Sequence, residues 1–133
     1  MKNDLTILLI EDDEMTLDIF RRILSKEYNF LFTSDVNKFY QLSTENKIDL
    51  FLIDLSLGLQ KSGLILIKEL RASEKYSNTP IIVVTAHAFS RDERVTLKAG
   101  ANKFLRKPIE PSKLMGEIYS LTQNSITRKT IVD

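Results

Sequence analysis

The sequence contains no cysteine. Disulfides, thiol nucleophiles and zinc–thiolate sites are therefore excluded, and the composition suits an intracellular, cytoplasmic protein. Histidine occurs once, as His87, so a multi-histidine metal centre cannot be built. Neither sign of charge is in excess: 19 Lys and Arg stand against 18 Asp and Glu, a formal net charge of +1. Nothing in that balance calls for direct nucleic-acid binding or a membrane surface. No apolar run approaches the roughly 20 residues that cross a bilayer, and the polar start from Met1 to Asp4 is unlike a signal peptide. What is present is 133 residues, 43% hydrophobic and 28% charged. That is the length and composition of one soluble domain, able to bury roughly two-thirds of its unfolded surface.

The stretch from Ile48 to Asp54, I-D-L-F-L-I-D, organises the chain. Leu50 to Ile53 is too short for a helix and too continuously apolar for a strand with one wet face, so it predicts a central strand covered on both sides. Around it, strands and helices alternate. Leu5 to Ile10 is a buried strand closed by Glu11, Asp12, Asp13 and Glu14. From Met15, the residues Ile19, Phe20, Ile23 and Leu24 share a helical face. Phe30 to Thr33 is a second strand, and Ser34 or Asp35 caps a helix carrying Val36, Phe39 and Tyr40 that fades near Asn46. After a loop from Leu55 to Ser62, Leu64, Ile67 and Leu70 carry a third helix to about Glu74. Ile81 to Val84 is a fourth strand, followed by Thr85. Ser90 to Glu93 is a capping-box pattern for a fourth helix, closed by Gly100. Lys103 to Leu105 is a short edge strand, and Pro111 opens a last helix with Leu114, Ile118 and Leu121 inward. Residues 1–123 thus form the domain, and 124–133, which have no apolar period, read as a polar tail or the start of a linker.

Five strand–helix units predict an α/β fold, a doubly wound, flavodoxin-like sheet of five parallel strands in the order 2-1-3-4-5, flanked by five helices. In that order the first and third strands are neighbours, which brings Glu11 and Asp12 beside Asp54. Carboxylates so placed repel one another unless protons or a cation intervene, and an all-oxygen set suits a hard divalent ion, magnesium above all. Thr85 and Lys107, at the ends of the fourth and fifth strands, open on the same crevice. A hydroxyl and an ammonium beside a metal are what a phosphoryl group needs.

Taken together, Glu11-Asp12, Asp54, Thr85-Ala86, Phe104 and Lys107-Pro108, in that order from Leu5 to about Leu121, resemble a response-regulator receiver domain of two-component signalling, the CheY-like family. The resemblance implies that Asp54 is the phosphoacceptor and that Asp12, Glu11 and the backbone carbonyl of Ser56 join it around Mg2+. It further implies that Thr85 and Lys107 contact the phosphoryl oxygens and that Phe104 turns inward as Thr85 moves, shifting the face of the fourth helix, fifth strand and fifth helix. The implied partners are a histidine kinase or phosphotransfer protein and an output domain in cis or in trans, and the resemblance also allows a second copy through that face. Such a domain is not an enzyme in the usual sense, although it assists its own phosphorylation and dephosphorylation.

Two features depart from the family pattern. Gly58 stands where a proline is usual, and the next expected glycine, Gly63, comes one residue late. His87 and Ser56 occupy positions where the family varies. Two other readings use the same acids: an aspartyl-phosphate hydrolase, which usually has a second aspartate where Ser56 stands, and a docking module that is never phosphorylated.

Overall fold

A computed structural model describes residues 3–55, 62–86 and 90–132, with side chains in the last span from 91 to 123. The elements alternate strictly: β1 (Thr6–Ile10), α1 (Glu14–Leu24), β2 (Asn29–Thr33), α2 (Val36–Glu45), β3 (Leu50–Ile53), α3 (Gly63–Ala72), β4 (Ile81–Thr85), α4 (Ser90–Ala99), β5 (Lys103–Arg106) and α5 (Pro111–Val132). Among the described residues the strands form one parallel sheet in the order β2-β1-β3-β4-β5. This is the expected doubly wound, flavodoxin-like arrangement.

The unbroken apolar runs are explained by burial on both faces. Side chains alternate across a strand, so Leu8, Ile10, Phe51, Ile53, Ile81 and Val83 enter one core with α2 and α3. Ile7, Leu9, Leu50, Leu52, Ile82 and Val84 enter another, with α1 and α5. Phe51 is wholly buried, its ring 5.7 Å from Phe39 and 4.9 Å from Tyr76. Burying a side chain of this size stabilises the fold by roughly 2–3 kcal/mol.

Local chemistry sets the helix ends. Asp13 caps α1, its carboxylate accepting from the Thr16 amide at 2.9 Å. Asp35 does the same for α2 through the Lys38 amide at 2.7 Å. Gly100, at φ +126°, ends α4 in a conformation that L side chains rarely adopt. Its carbonyl accepts from Arg71 Nε and Nη2 at 3.0 and 2.8 Å, while Arg71 also reaches Thr79 O at 2.7 Å. The C-terminal end of α4 is thereby pinned to α3. The side chain of Ser90, at the start of α4, lies outside the described residues.

The last helix is longer than its apolar period predicts. Leu121 is the last residue with a regular apolar spacing, yet the backbone remains helical to Val132. No glycine or proline follows Gly116, and extending a formed helix adds a hydrogen bond for each residue ordered. Among the described residues, no helix is long and apolar enough to cross a membrane.

Candidate functional site

The chemistry-bearing side chains gather at the C-terminal edge of the sheet, and backbone pairing continues past the strand ends to hold them there. The Glu11 amide donates to Thr33 O at 3.1 Å, Asp54 to Ile10 O at 3.2 Å and Lys107 to Thr85 O at 3.0 Å. Each residue is thus fixed by the neighbouring strand as well as by its own. The Lys107–Pro108 peptide is cis.

Glu11 and Asp54 are buried at 0% and 4% exposure, whereas Asp12 is exposed. One carboxylate oxygen from each of the three lies within 4.8 Å of the others. Such a donor set fits a hard divalent cation that takes carboxylate oxygens and keeps water on its open side. The juxtaposition is costly by itself. Burial first, then the hydrogen bond shared with Asp54, pushes the Glu11 carboxyl up to about 7. Lys107 opposes this, its Nζ 2.7 Å from Glu11 Oε1 and 3.6 Å from Asp54 Oδ2.

A pH effect follows in the metal-free protein. The folded value of Glu11 lies above its ordinary 4.5, so its favourable contribution is complete below that value and is lost as pH rises through about 7. Asp13, held below its usual range by the Thr16 hydroxyl and amide, acts oppositely and only towards the acid end. Unfolding measured from pH 5 to 8 without divalent ions should show stability declining by at most about 3 kcal/mol. Glu11→Gln should flatten the decline, and an unchanged slope in that variant would place its cause elsewhere.

Glu11, Asp12, Asp54 and Lys107 are brought together; the remaining expected residues are placed as follows. Thr85 is the last residue of β4 and wholly buried. Phe104 is half-buried on β5 opposite Val83 and packs against the core shared with α2 and α3. Ser56, Gly58 and His87 lie outside the described residues. Gly63, although one residue late, opens α3 directly against the site: a Cβ there would stand 2.6 Å from Asp54 O and 3.0 Å from Leu55 Cα. The backbone of the phosphoacceptor candidate therefore rests on the start of α3.

Sequence reasoning assigned Lys107 to the crevice but did not foresee its ion pair with Glu11. It also missed Arg106, whose guanidinium lies 5.5 Å from the Phe104 ring centroid and whose Nη2 is 3.0 Å from Glu93 Oε1. The available signal was the spacing, since residues 104 and 106 of a strand share a face.

The family description "Response regulator receiver domain" matches residues 7–119. The chain belongs to this family. As a receiver domain of two-component signalling, it is of a kind that typically accepts a phosphoryl group rather than acting as a conventional enzyme. The receiver is similar to the polar-differentiation response regulator DivK of Brucella anthropi, at 28% identity over 116 residues, covering 86% of this chain and 94% of that protein. It is also similar to the receiver domain of the sensor histidine kinase PA1611 of Pseudomonas aeruginosa. That structure has 27% identity, a TM-score of 0.79 and coverage of 90% and 98% of the two chains, and a magnesium ion is coordinated in its active-site cleft. A CheY-like receiver from Methanospirillum hungatei shares the fold, with a TM-score of 0.84 at 22% identity over 95% of this chain and 99% of that one.

Proposed function

We propose that this receiver domain is a phosphorylation switch that takes a phosphoryl group onto Asp54 from a histidine kinase or phosphotransfer protein. The observation that carries the reading is the placement of Asp54. It is buried at the end of β3, beside the oxygens of Glu11 and Asp12 and 3.6 Å from the Lys107 ammonium. A solubilising aspartate has no need of such surroundings.

Asp12, Asp54, Glu11 and the backbone carbonyl of Ser56 are the residues that would hold Mg2+. When bound, the ion would supply positive charge to offset the phosphoryl oxygens and the crowded carboxylates. Asp54 acts as the nucleophile. Its carboxylate oxygen forms a bond to phosphorus in line as the phosphorus–nitrogen bond of a phosphohistidine breaks, and the departing imidazole keeps that electron pair. Lys107 exchanges its bond to Glu11 for one to a phosphoryl oxygen. Thr85 donates its hydroxyl to another oxygen, drawing that end of β4 toward the site. The space so vacated admits Phe104, and the α4-β5-α5 face changes shape.

In this reading residues 1–123 are the switch, and 124–133 are a tail or the start of a linker to output in cis or in trans. The α4-β5-α5 face is where an output partner or a second copy would respond.

The test is intact mass after incubation with acetyl phosphate, with and without magnesium, followed by peptide mapping. One added phosphoryl group, dependent on magnesium and located on the peptide containing Asp54, is the expected result. Steady phosphate release without an adduct would favour a hydrolase. Neither adduct nor release would leave a docking module.

A further inference from the structure

Phe104 and Arg106 lie on the same face of β5, two residues apart, and pair across the sheet with Val83 and Thr85. Arg106 therefore stands beside both members of the proposed switch. Two of its contacts bear on that switch: its guanidinium lies 5.5 Å from the Phe104 ring centroid, within the range for attraction to an aromatic face. Its Nη2 also bonds Glu93 Oε1 on α4 at 3.0 Å. The helix is pinned at its other end, where Arg71 holds the Gly100 carbonyl. On the opposite face of β5, Lys103 pairs with Glu117 of α5 at 3.4 Å. The charges flanking this strand are thus engaged within the chain.

We infer that Arg106 is a positioning residue for Phe104, forming with Glu93 a latch that holds the ring and α4 in the unphosphorylated arrangement. The inference rests on the phosphorylation reading above. The Arg106 contact with the ring belongs to the present ring position, and turning Phe104 inward breaks it. Movement of α4 relative to β5 separates Glu93 from Arg106, so the ion pair opposes the same change. Coupling between sites is reciprocal. A phosphoryl group on Asp54 therefore opens the latch, and opening the latch strengthens binding of a phosphoryl group. Phosphorylation also parts the Glu93 carboxylate from Arg106, giving a partner a rearranged set of charges on the α4–β5 surface to recognise as well as a change of shape.

The test is calorimetric titration with beryllofluoride, as the phosphoryl mimic, at saturating magnesium. Arg106→Ala and Glu93→Gln are expected to bind it about two- to fivefold more tightly than the parent chain, the range for an exposed ion pair and an aromatic contact. Arg106→Lys keeps the ion pair without the planar contact and should fall between. Affinity for magnesium alone should be the same in all of them, which a general loosening of the domain would not produce. Equal or weaker beryllofluoride binding by Arg106→Ala and Glu93→Gln, while the parent chain binds, would overturn the latch alone. Failure of the parent chain to bind beryllofluoride would overturn the reading of Asp54, and the latch with it.

Discussion

Asp54→Asn should take up no detectable phosphoryl group from acetyl phosphate while remaining as stable as the parent chain or becoming more stable. The two expectations have separate causes. Asparagine has nearly the shape of aspartate and can keep the amide bond to Ile10 O. Its carboxamide oxygen, however, lacks the charge that makes a carboxylate a nucleophile toward phosphorus. Stability moves differently because Asp54 contributes to raising the Glu11 carboxyl to about 7, through both a hydrogen bond and charge repulsion. Removing that charge lets Glu11 ionise more easily beside Lys107, which relieves part of the cost of burying two acids together. Intact mass and thermal unfolding on the same sample separate these effects. A phosphoryl adduct on the asparagine variant would mean that another acid is the acceptor. Loss of the adduct together with collapse of the fold would mean that the result says nothing specific about Asp54.

Position, rather than any single residue, made this site legible. An acid after an apolar strand is common, but Asp54 follows a four-residue run that must be covered on both faces, and the strand order brings Glu11 beside it. Parallel pairing then does what sequence spacing predicts, since the first residue beyond each strand is still held by its neighbour. Which side chains pair with which at that edge was not legible. The pairing of Lys107 with Glu11 spans the domain, and it depends on how two side chains share one crevice. The position of Gly63 illustrates a different limit. Counting residues from Asp54 suggested a displaced glycine, yet the start of α3 still abuts the Asp54 carbonyl. What the site requires is close backbone approach, which a sequence interval measures only indirectly. The end of α5 likewise escaped pattern reading, because an apolar period marks the part of a helix that packs and not the part that merely continues.

Lys107→Met should slow phosphorylation by roughly a hundredfold, the usual cost of removing one group that stabilises charge in the transition state, while metal binding holds or tightens. The opposite signs follow from the same distances. Lys107 Nζ lies 2.7 Å from Glu11 Oε1 and 3.6 Å from Asp54 Oδ2, with its side chain largely buried. At about 4 Å and an effective dielectric near 20, one unit charge acts on another with about 4 kcal/mol. In the metal-free protein that interaction offsets the buried acids. Methionine fills much of the same volume but leaves Glu11 and Asp54 uncompensated, so unfolding without divalent ions should become easier by about 3 kcal/mol, the scale for breaking a buried pair. A divalent ion should recover that loss, because the ammonium that shares the Glu11 carboxylate is gone. During phosphoryl transfer nothing replaces Lys107, since its proposed task is to meet an oxygen on the incoming group. Titration with magnesium and single-turnover phosphorylation of one preparation give both answers. Unchanged phosphorylation would remove Lys107 from the chemistry, and weaker magnesium binding would show that it supports the acid cluster instead of competing for it.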